Sequence, residues 1–199
     1  MTEIIFATGN AGKAREVAMM FADMDVCVKT LKEAGIEAEI IEDGKTFMEN
    51  ARIKAETIAK YTDKIVLADD SGLVIDYLNG EPGIYSARYM GEATSYDIKN
   101  NNILERMSGV PEAERTARFI CAMVAAMPDG EVIETEGTME GIIGWEIAGS
   151  NGFGYDPVFY LPQFGKSSAE ITPEQKNEVS HRGKALRMMQ AQLKKRIQG

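Results

Sequence analysis

Apolar residues recur along the chain with two distinct periods. The β-branched run "EIIFAT" (3–8) reads as a strand, and after "GNAGK" a helix follows whose Val17, Met20, Phe21 and Met24 return near every 3.6 residues. Strands are expected around 26–30 and 37–41. A helix from about Thr46 then carries Phe47, Ala51, Ala55 and Ile58 on one face, and a strand follows at 64–68. Further on, "ARFICAMVAAM" (117–127) has the apolar continuity of a buried strand, and "PDG" (128–130) is a turn leading into "EVIETEGTMEGIIG", a pattern of antiparallel hairpins. A last helix starts near Ser180, with Leu186, Met189, Leu193 and Ile197 as its inward stripe. These elements predict an α/β fold with a mixed sheet. Without a repeat, a low-complexity stretch or a long linker to mark a boundary, 1–199 reads as one domain.

Composition narrows the class. With 199 residues, 44% hydrophobic and 27% charged, the chain is long enough to bury a real core, and no apolar run approaches a membrane span. The opening "MTEIIFATGN" lacks the basic region and small-residue cleavage site of a secretory signal, so a cytoplasmic location is expected. Cys27 and Cys121 have apolar neighbours and no metal-ligand spacing, which reads as two reduced core residues. The net charge of −9 repels nucleic acid and anionic membranes, so an anionic ligand needs positive charge gathered locally.

Three stretches gather such chemistry. "TGNAGK" (8–13) is a glycine-bearing turn between strand and helix, where free backbone N–H groups favour an anion and Lys13 adds a full charge. It is no Walker motif, since only two residues separate Gly9 from Gly12 and Ala14 follows Lys13; such turns are also common connectors. In "SHRGKALRMM", Ser180 reads as an N-cap, yet His181, Arg182 and Lys184 put basic groups where the helix dipole disfavours them, calling for an anionic ligand or for the protein's own carboxylates. In "NGFGYDPVF" (151–159) an aromatic between glycines lets a flat ligand approach the backbone, with Asp156 as an acceptor for ring N–H groups; the same pattern suits a glycine-rich loop with core aromatics.

The acidic pair in "VLADDSGLVID" (66–76) interrupts an otherwise apolar strand. Buried charge is costly unless compensated, so Asp69 and Asp70 are expected at a strand end, at a surface or on a metal such as Mg²⁺. Glu39 and Glu42 in "EIIEDG" (39–44) supply further acids if that segment lies beside strand 64–68.

Taken in order, "FATGNAGK", "LADDSGLVID", "GEPGIYSARYMG" (80–91), "GFGYDPVF" and "SHRGKAL" span nearly the whole chain. On these motifs the sequence closely resembles the non-canonical purine nucleoside triphosphate pyrophosphatases, the inosine triphosphatase or Ham1-like family. The resemblance implies an elongated mixed sheet flanked by helices, two lobes around a central cleft, a homodimer, and Mg²⁺-dependent hydrolysis of ITP, dITP or XTP to the monophosphate and pyrophosphate. By position it implies that Thr8, Gly9, Asn10, Ala11, Gly12 and Lys13 hold phosphates, and that Asp70 is the catalytic acid/base and a metal ligand. It further implies that Ser71 contacts substrate, that Phe153, Gly154, Tyr155 and Asp156 form the base pocket, and that Lys176, His181 and Arg182 close on base and phosphates. For the second metal carboxylate Glu42 is preferred to Glu39. Arg88 in "YSARYMG" stays open between phosphate contact, ion pair and dimer support.

Overall fold

In the computed structural model, which describes residues 2–198, β1 (Thr2–Phe6) runs into α1 (Ala11–Met20) through the turn at 7–10. β2 (Val26–Thr30), α2 (Phe47–Ala59) and β3 (Ile65–Ile75) follow. After α3 (Tyr96–Arg106), the strands β4 (Thr116–Ala126) and β5 (Val132–Ile143) are joined by the expected turn, where Met127 N donates to Glu131 O at 2.8 Å. Two short strands, β6 (Phe159–Leu161) and β7 (Lys166–Ser167), precede α4 (Pro173–Val179) and α5 (His181–Gln198).

The strands form one mixed seven-stranded sheet in the order β2-β1-β3-β4-β5-β6-β7. β1 pairs in parallel with both β2 and β3, whereas β5 with β6 and β6 with β7 are antiparallel. The expected α/β class therefore holds. The stretch "EVIETEGTMEGIIG" contributes one continuous strand rather than a hairpin of its own.

One further expectation changes, and one helix is added. Residues 37–41 form no strand: exposed and half-covered positions alternate there as in extended chain, without a ladder of backbone bonds. α3 went unpredicted because its buried residues are Lys99, Asn100 and Ile103, so polar side chains occupy the inner face and erase the apolar period.

The chain divides into two compact units. The first comprises the chain up to Asp70, Cys121–Gly137 and the chain from Lys184; the second comprises Ser71–Ile120 and Thr138–Gly183. Each has its own core. In the first, Val17 of α1, Phe21 in the turn after it, and Ala185, Leu186, Met189 and Leu193 of α5 bury against Ile4, Phe6, Ile65 and Leu67. In the second, Leu73, Ile75, Ile103, Met107, Phe119, Val158, Phe159 and Leu161 pack together. Cys121 belongs to the first core, while Cys27 is only half-buried. Among the described residues no helix is long and apolar enough to cross a membrane.

Candidate active site

In the first unit, three acids meet two lysines. Neighbours on a strand point to opposite faces, so Asp69 and Asp70, midway along β3, face different helices. From α1, Lys13 Nζ donates to Asp69 Oδ2 at 2.7 Å, and the Asp69 side chain keeps only 2% of its surface exposed. From α2, Lys54 Nζ donates to Asp70 Oδ1 at 3.3 Å and to Glu42 Oε2 at 3.1 Å. The expectation that the acidic pair needs a strand end, a surface or a metal is thus too narrow, because two helix-borne ammonium groups compensate it inside the strand.

Burial pushes the Asp70 carboxyl above its ordinary value of 3.8; Lys54 opposes this and Glu42 adds to it. Burial also pulls on Lys54 in the direction of neutrality, but Asp70, Asp69 and Glu42 together outweigh it and hold the ammonium above its ordinary 10.5. Glu42, not the exposed Glu39, therefore shares a cation with Asp70. Among the described residues no group of three or more His, Cys, Asp or Glu side chains forms a ready metal cage.

The turn before α1 is organised by its own polar groups. Thr8 Oγ1 accepts from Asn10 N at 3.1 Å, and Asn10 Oδ1 accepts from Lys13 N at 3.1 Å, which caps the helix. Gly9 and Asn10 are exposed; Ala11 and Gly12 open α1, and their side-chain surroundings lie outside what is described.

The second unit holds the aromatic and basic residues. Phe153 is 52% exposed, with Lys176 Nζ 5.6 Å and Arg182 Cζ 5.7 Å from its ring centroid. Asp156 is buried, and its Oδ2 accepts from Lys176 Nζ at 2.5 Å and from Phe153 N at 2.8 Å while Oδ1 accepts from Ser168 Oγ at 2.9 Å. Asp156 therefore anchors the loop, with both oxygens engaged within the protein. Gly152, at φ +76°, is required here because a Cβ would collide with Asp156 Oδ2 and Lys176 Nζ. Gly154 O accepts from Asn100 Nδ2 at 3.1 Å.

Tyr155 points into the core, its phenol donating to Ser86 O at 2.7 Å. Ser180 caps α5 as expected, its Oγ accepting from Gly183 N at 3.0 Å. His181 stacks on Phe119 with centroids 5.0 Å apart. Ser71 is half-buried on β3, and Arg88 lies over the Tyr85 ring at 5.0 Å.

The sequence reading missed Lys54 and Asn50. A signal for both was present: positions 47, 50, 51, 54, 55 and 58 make one helical stripe, and Asn50 and Lys54 are its two polar members.

Against known proteins, the model of the Ham1 family matches residues 4–192, a span that runs through both units. The chain belongs to the Ham1 family. Curated relatives agree along nearly the full length. A dITP/XTP pyrophosphatase of Listeria innocua is 48% identical over 194 residues, covering 97% of this chain and 95% of the relative. One from Clostridium perfringens is 46% identical over 200 residues, covering 98% of each. Among solved structures, the Ham1 protein of Staphylococcus aureus matches with a TM-score of 0.90 at 40% identity, covering 98% of this chain and 100% of that one. A HAM1 protein of Coxiella burnetii matches with a TM-score of 0.91 at 37% identity and the same coverage. These likenesses extend over the whole fold.

Proposed function

We infer that this Ham1-family chain hydrolyses the deaminated purine nucleoside triphosphates ITP, dITP and XTP to the monophosphate and pyrophosphate, which removes them from the nucleotide pool. The observation that carries this reading is near-full-length identity of 46–48% to dITP/XTP pyrophosphatases. The acidic and basic groups described above supply chemistry that suits it.

Hydrolysis of a triphosphate demands positioning and charge neutralisation more than covalent help from the protein. Asp70, with its raised carboxyl pKa, is suited to orient a water and accept its proton. Lys13 and the backbone N–H groups at the start of α1 favour phosphate oxygens, with Thr8, Gly9, Asn10, Ala11 and Gly12 shaping that turn. Glu42 and Asp70 fit a divalent cation, because their oxygens already converge on one cationic centre, the Lys54 ammonium. Mg²⁺ suits a two-carboxylate set, keeping waters and sharing substrate oxygens, and when bound would neutralise phosphate charge.

For the base, the exposed ring of Phe153 offers a stacking surface, and Lys176 and Arg182 beside it are donors only. Donors suit a 6-oxo group and are left unpaired by the 6-amino group of ATP. Gly154, Tyr155, Asp156, His181 and Ser71 complete the assignment to substrate binding, and the chain is taken as a single-domain, cytoplasmic homodimer.

The test is turnover of ITP, XTP, dITP, ATP, GTP and dUTP with Mg²⁺, detecting pyrophosphate and orthophosphate separately. Pyrophosphate from ITP, dITP and XTP with little from ATP or GTP is the expected result. Orthophosphate release, or a preference for ATP or dUTP, would overturn the reading.

A further inference from the structure

Asn50 is fully buried within α2, at a stripe position where an apolar residue would cost less. Both ends of its amide are engaged. Oδ1 accepts from Gly44 N at 2.9 Å, and Nδ2 donates to Asp70 Oδ2 at 3.3 Å. Gly44 lies two residues beyond Glu42, so one side chain ties the segment bearing Glu42 to the strand bearing Asp70.

The fit is specific on both sides. A Cβ at Gly44 would come within 2.6 Å of Asn50 Oδ1 and 2.9 Å of Asn50 N, so glycine lets this segment approach the helix. One turn later on the same face, Lys54 donates to the other Asp70 oxygen and to Glu42. The Asp70 carboxylate is thus held by one neutral and one charged donor, one on each oxygen. The two donors differ in consequence: a divalent cation at these carboxylates competes with the Lys54 ammonium for the same oxygens, whereas a neutral amide donates without repelling it. A primary amide offers a donor to a carboxylate and an acceptor to an N–H at once while staying neutral.

We propose that Asn50 is a positioning residue that fixes Asp70 and the Glu42 segment relative to each other, so that both carboxylates meet one divalent cation. This rests on the reading of Glu42 and Asp70 as cation ligands given above.

The test uses the full-length enzyme with Asn50→Ala and Asn50→Asp, each checked for folding by circular dichroism and assayed well below its melting temperature. Mn²⁺ binding is titrated by electron paramagnetic resonance without nucleotide, and kcat and KM are measured for ITP with saturating Mg²⁺. Loss of a group that orients metal ligands weakens metal affinity or activity about 10- to 100-fold. Asn50→Ala is expected to lose Mn²⁺ affinity on that scale. Asn50→Asp keeps the acceptor for Gly44 but faces Asp70 with a carboxylate, and is expected to lose kcat on that scale with KM for ITP changed less than about threefold; it carries the test if Asn50→Ala does not fold. A folded Asn50→Ala with Mn²⁺ affinity within twofold of the wild type, or Asn50→Asp with wild-type kcat, would overturn the proposal. If the wild-type enzyme binds Mn²⁺ yet releases no pyrophosphate from ITP, XTP or dITP, the substrate reading fails while the Mn²⁺ titration still decides the role of Asn50.

Discussion

Lys13 and Asp69 show how much one buried pair constrains. Removing the ammonium takes one charged partner from a carboxylate with almost no solvent access, and breaking a buried pair costs about 3–5 kcal/mol. Lys13→Ala is therefore expected to be destabilised by about 3 kcal/mol in urea unfolding, and adding Asp69→Asn is expected to restore part of that loss; simple additivity would show the pair to be uncoupled. Asp70→Asn keeps the shape but gives up the carboxylate proposed as proton acceptor, and turnover of ITP is expected to fall about 100-fold or more with an unchanged circular dichroism spectrum. Near-normal turnover would remove Asp70 from the chemistry. Such residues could be read from sequence where charge stands against its surroundings. Asp69 and Asp70 break an apolar strand, and His181 and Arg182 crowd a helix start. Asn50 and Lys54 do not stand out in this way, since polar side chains on a helix ordinarily face water, and their burial emerges only when the stripe is followed through them.

At the scale of elements, the strands and helices with clear apolar periods were readable, and two of the departures have opposite causes. Residues 37–41 have alternating polarity without a partner strand, whereas α3 packs with Lys99 and Asn100 inward. Lys99 Nζ donates to Ala87 O at 2.7 Å, and Asn100 holds Gly154 O. Tertiary hydrogen bonds thus join the burial of Ile103 in holding α3, and the local apolar pattern carries no trace of them. The 151–156 loop is tied in the same manner. Gly152→Ala combines an unfavourable positive φ with a clash against the Asp156–Lys176 pair. If this loop receives the base, KM for ITP is expected to rise about tenfold, with a smaller change in kcat; an unchanged KM would show that the loop does not touch substrate.

At the scale of the whole chain, each unit has its own core, yet β3, β4 and β5 each carry backbone from one unit into the other. Unfolding one unit alone would have to break three strands partway along. A single calorimetric transition with matching van't Hoff and calorimetric enthalpies is therefore expected, and two resolved transitions would contradict it. Alkaline pH should weaken this fold through Tyr155. Burial, reinforced by Tyr96 and Tyr89, raises its phenol well above the ordinary 10. Above pH 10 the phenol ionises in the unfolded chain before it does so in the folded one, so stability falls as pH climbs from 10 towards the folded value. Tyr155→Phe is expected to flatten that part of the decline while losing about 1 kcal/mol at neutral pH with the bond to Ser86. The adjacent aspartates of β3 carry a different kind of consequence. Because alternate positions serve opposite faces, the order of the two acids is a matter of parity. Deleting a single residue between β1-paired Leu67 and Asp69 would hand each acid to the other's helix, whereas a change of two residues would preserve the assignment. Natural length variation in this strand should therefore come in even steps, a rule of arithmetic imposed on the gene by the pleat of a sheet.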